Sequence, residues 1–357
     1  MIKLLIVDDS ALMRRQLMTL FQAAGDFEVR PARNGDEAVR ENRDFQPDVV
    51  TLDINMPEMD GLTALSLIMA ERPVAVVMVS SLTNEGALAT FEALNLGAVD
   101  YIAKPGGTIS LSIDRITEEL VAKVRSAARS RPRGKASIAA TIARRMQEER
   151  KKVAAASSAL TARRGAGDGL LVVGASTGGP RALEIVLSGL QADFPWPVLV
   201  AQHMPAAFTR AFAERLNQCC ALQVVEAGSA LPVEAGKIYI ARGGADMVLA
   251  NRAGRLTVLP MSENSQYLWH PSVELLGRSV LEHYDPKRVT AVLLTGMGYD
   301  GSDAFAEIKK RGGRTIAESE ESAVVYGMPA ELVAKGGASL VLAVERVASQ
   351  LSTWAGR

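Results

Sequence analysis

The sequence predicts an α/β protein with two domains, each built on a doubly wound parallel sheet. Three observations support this prediction. In both halves of the chain, short apolar runs typical of buried strands alternate with segments typical of helices. Polar or glycine-rich residues follow these runs, at the edge of such a sheet where ligands bind. A charged segment, residues 123–168, separates the two halves.

The composition is that of a globular protein. The 357 residues are 48% hydrophobic and carry 40 basic and 40 acidic side chains. Without a basic excess, the chain is not expected to bind nucleic acid. It has no run of about 18 apolar residues for membrane insertion, and we expect no signal peptide, because the short apolar run at residues 4–7 is followed directly by carboxylates. The only cysteines, Cys219 and Cys220, are adjacent and poorly placed to pair, so we expect a reduced, cytoplasmic protein.

Four predicted strands in the first half end at polar residues. The strands cover residues 2–7, 49–52, 74–79 and 101–103, with helices predicted at 11–23, 36–43, 61–71 and 85–96. The polar residues at the strand ends are Asp8, Asp9, Asp53, Ser80 and Lys104. Because the carboxyl ends of parallel strands meet at one edge of a sheet, we expect these side chains to lie together.

This group of side chains has the chemistry of a phosphoryl-accepting site. A single aspartate at a strand end is usually a turn residue. Here all four predicted strands end at polar residues of this kind, so turn formation alone is an improbable explanation. Clustered carboxylates repel one another and require a cation, and oxygen ligands suit Mg²⁺. A carboxylate beside Mg²⁺ can attack phosphorus, and a lysine and a hydroxyl can bind the phosphoryl oxygens.

Residues 1–122 resemble a two-component receiver domain, which implies a flavodoxin-like fold. The matching motifs are Val7-Asp8-Asp9-Ser10, Leu52 to Gly61, Val79-Ser80 and Tyr101-Ile-Ala-Lys-Pro105. The resemblance implies that Asp53 is the phosphoacceptor and that a histidine kinase is the phosphoryl donor. The implied Mg²⁺ ligands are Asp9, Asp53 and the backbone carbonyl of Asn55, with Asp8 helping through a water molecule. The implied switch residues are Ser80 and Tyr101, and Lys104 is implied to contact the phosphoryl group.

Residues 123–168 are predicted to form a linker, in which helical parts are possible. The segment contains a basic stretch at 125–135 and a dense charge run at 144–152. No aromatic residues interleave with the basic ones, as base stacking would require. No pair of DNA-binding helices follows, so a transcription factor is disfavoured.

The second half opens with a glycine-rich corner between a predicted strand and a predicted helix. An apolar run from Leu170 is followed by Gly174-Ala-Ser-Thr-Gly-Gly-Pro180. The corner can be a turn with an N-cap serine, a phosphate or dinucleotide cradle, or the seat of a nucleophilic Ser176. A dinucleotide site would have an acidic residue about 20 positions onward, at the next strand end. That strand end carries His203, which disfavours the cofactor interpretation.

Two further strand ends supply partners for a nucleophile. The predicted strands at 197–201 and 288–295 precede His203 and Asp300. A serine hydroxyl needs a base within hydrogen-bond reach, and a carboxylate on the far side of the imidazole fixes its tautomer. The order Ser, His, Asp differs from the Ser, Asp, His order of α/β-hydrolases. The backbone N–H groups of Thr177 and Met297 are candidates for an oxyanion hole.

Residues 169 to about 350 resemble the catalytic domain of the chemotaxis protein-glutamate methylesterases, the CheB family. The main motifs are Gly174 to Pro180, Ala201 to Pro205 and Thr295 to Gly301, and residues 236–241, 270–273 and 323–329 also fit. The resemblance implies a Rossmann-like serine methylesterase domain at 169–357 with a few antiparallel strands. It implies Ser176 as nucleophile, His203 as base and Asp300 as the group that orients the base.

The resemblance also implies an activity and its regulation. The expected substrates are glutamate methyl esters on methyl-accepting chemotaxis receptors, and glutamine deamidation is an expected second activity. The unphosphorylated receiver is implied to cover the catalytic face until Asp53 is phosphorylated. We expect no cofactor in the catalytic domain and a monomeric protein. The alternatives are an esterase or amidase of the same fold in another sensory pathway, and an inactive adaptor.

The sequence departs from the usual family pattern at three positions. Arg242, Asp246 and Ala304 stand where proline, histidine and glycine are usual. We expect Arg242 and Asp246 to line the substrate cleft, with effects on substrate preference and rate more than on the type of reaction.

Overall fold

The computed structural model, which describes residues 1–81, 83–104, 113–130 and 168–356, contains two parallel β-sheets flanked by helices. The chain divides into two units, residues 1–163 and 164–357. The predicted α/β class is therefore confirmed. Most of the predicted linker, residues 131–167, lies outside the described residues. None of the described helices has the length and apolarity needed to cross a membrane.

The sheet of the first unit has five parallel strands in the order β2-β1-β3-β4-β5. The strands are β1 (Ile2–Val7), β2 (Phe27–Ala32), β3 (Val49–Asp53), β4 (Ala75–Ser80) and β5 (Asp100–Ala103). The helices are α1 (Ala11–Ala23), α2 (Gly35–Asp44), α3 (Gly61–Glu71), α4 (Asn84–Leu96) and α5 (Ile113–Arg129). Because the strand order reverses between β1 and β3, their carboxyl ends form the crevice where such sheets bind ligands.

Strand β2 is absent from the predicted strands because it lies at the edge of the sheet. Only Phe27 and Ala32, its first and last residues, are buried. Pro31 lies opposite Ile6 of β1, and a proline fits within a sheet mainly at such an edge. A half-exposed edge strand lacks the continuous apolar run that marks the inner strands.

Helix α5 extends beyond residue 122, where the first domain was predicted to end. Val124 and Ala127 are fully buried, and the Arg125 guanidinium makes two hydrogen bonds of 2.8 Å with Asp26. Residues 123–129 therefore belong to the first unit and not to the linker.

The second unit has a seven-stranded parallel sheet in the order β15-β14-β13-β6-β7-β10-β8 and a small antiparallel sheet in the order β11-β12-β9. Its strands are β6 (Leu170–Ala175), β7 (Val198–Gln202), β8 (Gln223–Ala227), β9 (Leu231–Pro232), β10 (Lys237–Ala241), β11 (Asp246–Arg252), β12 (Arg255–Met261), β13 (Val289–Leu293), β14 (Arg314–Glu318) and β15 (Leu340–Leu342). Its helices are α6 (Gly179–Ser188), α7 (Ala206–Cys219), α8 (Val273–His283), α9 (Ser302–Lys310), α10 (Met328–Ala334) and α11 (Val344–Ala355), with a 3₁₀ turn at Pro286–Arg288. The expected few antiparallel strands are confirmed.

Strand β6 lies in the middle of the larger sheet, and each of its residues is buried. It pairs with β7 on one side and with β13 on the other. The chain thus leaves β6 in one direction and returns on its far side, which makes the carboxyl end of β6 the switch point of the sheet. Ser176 follows β6 directly, His203 follows β7, and Asp300 lies in the loop after β13.

Truncation of a β6 side chain should destabilise the second unit. Leu171 is fully buried, and Leu171→Ala should lower the free energy of unfolding by about 2–5 kcal/mol, because it leaves a cavity in a close-packed core. By calorimetry, the transition of this unit should shift down by about 4–20 °C. The matched control is Leu268→Ala, because the Leu268 side chain is 73% exposed. Equal shifts in the two variants would contradict this description of the core.

Candidate active site

Ser176 lies on the turn that joins β6 to α6. Its backbone N–H donates to the Thr295 carbonyl (3.0 Å), and its own carbonyl accepts from the Gly179 N–H (2.7 Å). Gly178 has a φ of 76°, a left-handed conformation that suits glycine. A side chain at Gly296 would collide with the Met328 side chain and with the Cβ of Ser176. The glycines therefore allow two loops to close tightly around the serine.

The structure brings Ser176, His203 and Asp300 into one hydrogen-bonded chain. His203 Nδ1 lies 3.0 Å from Ser176 Oγ, and His203 Nε2 lies 2.8 Å from Asp300 Oδ2. Since a carboxylate can only accept, the Nε2–H donates to Asp300 and leaves the Nδ1 lone pair directed at the serine hydroxyl. This geometry suits transfer of the hydroxyl proton to the imidazole.

The Asp300 carboxylate is held at the start of helix α8. It accepts hydrogen bonds from the backbone N–H groups of Val273 (2.7 Å) and Glu274 (2.9 Å) and from the Ser272 hydroxyl (3.0 Å). Burial raises the pKa of Asp300, but the hydrogen bond and charge of His203 and the two backbone N–H groups outweigh burial, and the pKa lies below its ordinary value. Asp300 therefore stays a carboxylate beside the imidazole.

Three side chains that carried no predicted role support this chain of residues. Gln202 Nε2 donates to the carbonyls of both Ser176 and His203, at 3.0 Å each. Ser272 caps α8 by accepting from Leu275 N–H while donating to Asp300. The Trp269 ring stacks on His203, with centroids 5.7 Å apart and an interplanar angle of 5°. Only Ser272 had a sequence signal, as a serine directly before an apolar helix.

The predicted oxyanion-hole residues lie on the two loops that meet at Ser176. Thr177 follows Ser176 in the chain. Met297 follows Gly296, which packs against Ser176. Within the described part of the chain, neither the Thr177 N–H nor the Met297 N–H donates a hydrogen bond to the protein. Both groups are thus available to an oxyanion, and their role stays a prediction.

Of the three departures from the family pattern, Asp246 is not where we expected it. Its side chain is buried and hydrogen-bonded within the protein, so the expectation that it lines the substrate cleft is wrong. Ala304 is fully buried, and a side chain at Gly277 would collide with it. Arg242 is exposed, and its effect on substrate preference stays a prediction.

A second constellation occupies the strand ends of the first unit. One carboxylate oxygen from each of Asp8, Asp9 and Asp53 lies within 4.8 Å of the others. Lys104 Nζ is 2.7 Å from Asp53 Oδ2 and 3.2 Å from Asp8 Oδ2. Among the described residues, Asp8 Oδ2 is nevertheless a buried atom without a well-formed hydrogen bond. Clustered carboxylates with an unsatisfied buried oxygen fit a hard cation such as Mg²⁺.

The pKa shifts of Asp53 and Lys104 also agree with a cation site at this cluster. Burial raises the pKa of Asp53 above its ordinary value, and the Asp8 charge adds to the effect while Lys104 opposes it. Burial also acts to lower the pKa of Lys104, but the hydrogen bond and charges of Asp53 and Asp8 raise it overall. The Asn55 N–H donates to Asp53 Oδ1 (3.3 Å), and Ser80 and Tyr101 are buried nearby in β4 and β5. The roles of Asn55, Ser80 and Tyr101 stay predictions.

Comparisons with known proteins assign a protein family to each of the two units. Residues 171–351 match the CheB methylesterase family, and residues 4–113 match the response regulator receiver domain family. A relative from Rhodospirillum rubrum, named protein-glutamate methylesterase/protein-glutamine glutaminase 3, is 55% identical and spans 100% of this chain and 97% of its own. One of the same activity name from Rhodopseudomonas palustris is 52% identical over 99% and 98%. The crystal structure of the Thermotoga maritima CheB methylesterase catalytic domain is 35% identical, with a TM-score of 0.50, and covers 52% of this chain and 98% of that domain.

The depressed pKa of Asp300 predicts how the stability of the protein changes in acid. Its carboxylate stabilises the fold above the ordinary pKa of 3.8, and this contribution is lost as the pH falls through the lower pKa of the folded protein. In Asp300→Asn, the loss of unfolding free energy relative to the parent protein should be largest near neutral pH and shrink below pH 3.8. Urea denaturation at several pH values measures it, with exposed Asp193→Asn as control. A difference that stays constant into strong acid would contradict the assignment.

Proposed function

The chain belongs to the CheB methylesterase family, and we propose that it is a receiver-regulated serine hydrolase that demethylates glutamate methyl esters on chemotaxis receptors. The observation that carries this proposal is the hydrogen-bonded chain from Ser176 through His203 to Asp300 at the strand ends of the catalytic unit. The two relatives named above support the substrate, since both are protein-glutamate methylesterases and protein-glutamine glutaminases by name.

The geometry supports a two-step reaction. Ser176 Oγ attacks the ester carbonyl while His203 Nδ1 takes its proton, and the Nε2–H continues to donate a hydrogen bond to the Asp300 carboxylate, whose charge stabilises the imidazolium. The imidazolium then protonates the departing methoxide, and methanol leaves. Water then attacks the acyl-enzyme, and His203 takes one proton from the water and passes it to Ser176 Oγ. The products are free Ser176 and a glutamic acid side chain, which releases its proton to solvent to become the carboxylate. Proton transfer by the base should contribute roughly 10²–10⁴-fold to the rate.

The negative charge that develops on the carbonyl oxygen needs donors already in place. In our proposal these are the Thr177 and Met297 N–H groups, whose loops meet at Ser176. The same steps act on a glutamine side chain, with ammonia as the leaving group, which accounts for the proposed deamidase activity. The reaction uses only groups of the protein and water.

The receiver unit regulates this reaction in our proposal. A histidine kinase supplies the phosphoryl group, Asp53 accepts it, and Lys104 pairs with its charge. Asp8, Asp9 and Asp53, with the Asn55 carbonyl, would hold Mg²⁺, which neutralises charge during the transfer. Ser80 and Tyr101 would report the phosphorylated state to the rest of the molecule.

The setting of the reaction is also part of the proposal. We place the protein in the cytoplasm, as a monomer, acting on the methylated helices of the receptors. An inactive adaptor is disfavoured by the intact chain of Ser176, His203 and Asp300.

Replacement of the nucleophile should abolish the activity. We expect Ser176→Ala to lower methanol release from methylated receptor membranes at least about 10³-fold, because the acyl-enzyme cannot form. Ser349→Ala, an exposed serine on α11, is the control and should retain the parental rate. Parental activity in Ser176→Ala would refute the mechanism. Serine-dependent hydrolysis of other esters, without release from receptors, would instead indicate an esterase of another pathway.

Phosphorylation should raise the activity through Asp53. With a phosphorylated kinase or a small phosphoryl donor and Mg²⁺, we expect label on the parent protein and faster methanol release, and neither in Asp53→Ala. Chelation of the metal should prevent labelling, because the carboxylate cluster then lacks its cation. Exposed Asp44→Ala is the control and should behave like the parent protein. Labelling of Asp53→Ala at the parental level would contradict the proposed phosphoacceptor.

A further inference from the structure

Asp246 is a buried carboxylate that the proposed mechanism does not use. It begins strand β11 and is 1% exposed. Asp246 Oδ2 accepts from the Asn264 N–H (3.0 Å), and Asp246 Oδ1 accepts from the Ser272 N–H (2.7 Å). His270 Nδ1 lies 3.0 Å from both oxygens. A single side chain therefore holds both ends of residues 264–272, which we call the tethered segment.

The tethered segment contacts the active site at two places. Its last residue, Ser272, donates its hydroxyl to Asp300 Oδ1 (3.0 Å). Trp269 stacks on the imidazole of His203 and makes an edge contact with Tyr299, one residue before Asp300. The segment thus contacts both the base and the carboxylate that orients the base.

The start of helix α8 joins the two carboxylates. Asp246 accepts the N–H of Ser272, and Asp300 accepts the next two N–H groups, those of Val273 and Glu274. Ser272 is bound by both, through its N–H to Asp246 and through its hydroxyl to Asp300. A shift of this turn therefore moves the carboxylate that holds His203. In the described part of the chain, Asp246 itself has no hydrogen bond to Ser176, His203 or Asp300.

We propose that Asp246 is a positioning residue for the hydrolase reaction, acting through Ser272 on Asp300 and through Trp269 on His203. Loss of its charge leaves buried donors of the tethered segment unsatisfied, and such donors draw the segment toward water. The imidazole then spends less time aligned with Ser176, which slows proton transfer without removing a substrate contact. This inference rests on the proposed function in one respect, because its activity assay measures methanol release.

The test compares Asp246→Asn, Ser272→Ala and the double variant in the full-length protein. Asparagine keeps the size of the side chain but has one acceptor in place of two, so one end of the tethered segment is released. We expect kcat for methanol release to fall about tenfold, the rate equivalent of one lost hydrogen bond, with KM changed less than about twofold. Exposed Asp303→Asn on helix α9 is the matched control and should retain the parental kcat.

The double variant separates positioning from general destabilisation. If Asp246 acts through Ser272, the two losses in kcat overlap, and the double variant should be only about twofold slower than the slower single variant. Multiplication of the two losses, an unchanged kcat in Asp246→Asn, or a loss that equals the unfolded fraction by circular dichroism would each overturn the proposal. If Asp246→Asn does not fold, His270→Phe removes a donor to Asp246 and is judged by the same criteria.

A second readout does not depend on the substrate. The indole N–H resonance of Trp269, assigned with Trp269→Phe, should shift in Asp246→Asn and stay in place in Asp303→Asn. An unmoved resonance would overturn the inference. Absence of methanol release by the parent protein would instead refute the proposed function, and the indole resonance would still decide the role of Asp246.

Discussion

A carboxylate taken out of water must receive its hydrogen bonds from the protein. Asp300 receives four, from His203 Nε2, the Ser272 hydroxyl and the N–H groups of Val273 and Glu274. Two of these donors are the first N–H groups of a helix, where unpaired donors and the helix dipole favour negative charge. The orientation of the imidazole, and hence its reach to Ser176, depends on this one buried charge.

The two units differ in how their buried carboxylates are hydrogen-bonded. In the receiver unit, Lys104 lies against Asp53 and Asp8, and within the described residues the buried Oδ2 of Asp8 has this ion pair but no well-formed hydrogen bond. In the catalytic unit, the buried carboxylate of Asp246 receives its donors from the tethered segment, and Asp300 receives three of its four from the start of α8. The first arrangement leaves a place for a cation, whereas the second fixes the geometry of protein groups.

Several features of the sequence were sufficient for prediction because they are local. Buried parallel strands are continuous apolar runs in the sequence, so the polar residues at their ends are easy to find. Asp8, Ser176 and His203 directly follow β1, β6 and β7, and Asp53 is the last residue of β3. Strand β2 was not predicted, because it is a half-exposed edge strand that contains Pro31 and has no continuous apolar run. Asp246 was placed in the cleft because the sequence does not reveal that Asn264, His270 and Ser272 surround it.

By itself, the sequence determined the α/β class, the two sheets, the family motifs and the identity of the groups at the strand ends, since each of these is written in short contiguous stretches. The tertiary structure alone decided which ring nitrogen of His203 faces Ser176, which donors hold Asp300, and that Asp246 holds both ends of the tethered segment. These are contacts between residues far apart in the chain. Their distances depend on how the loops pack against one another, and no local pattern of residues encodes that packing.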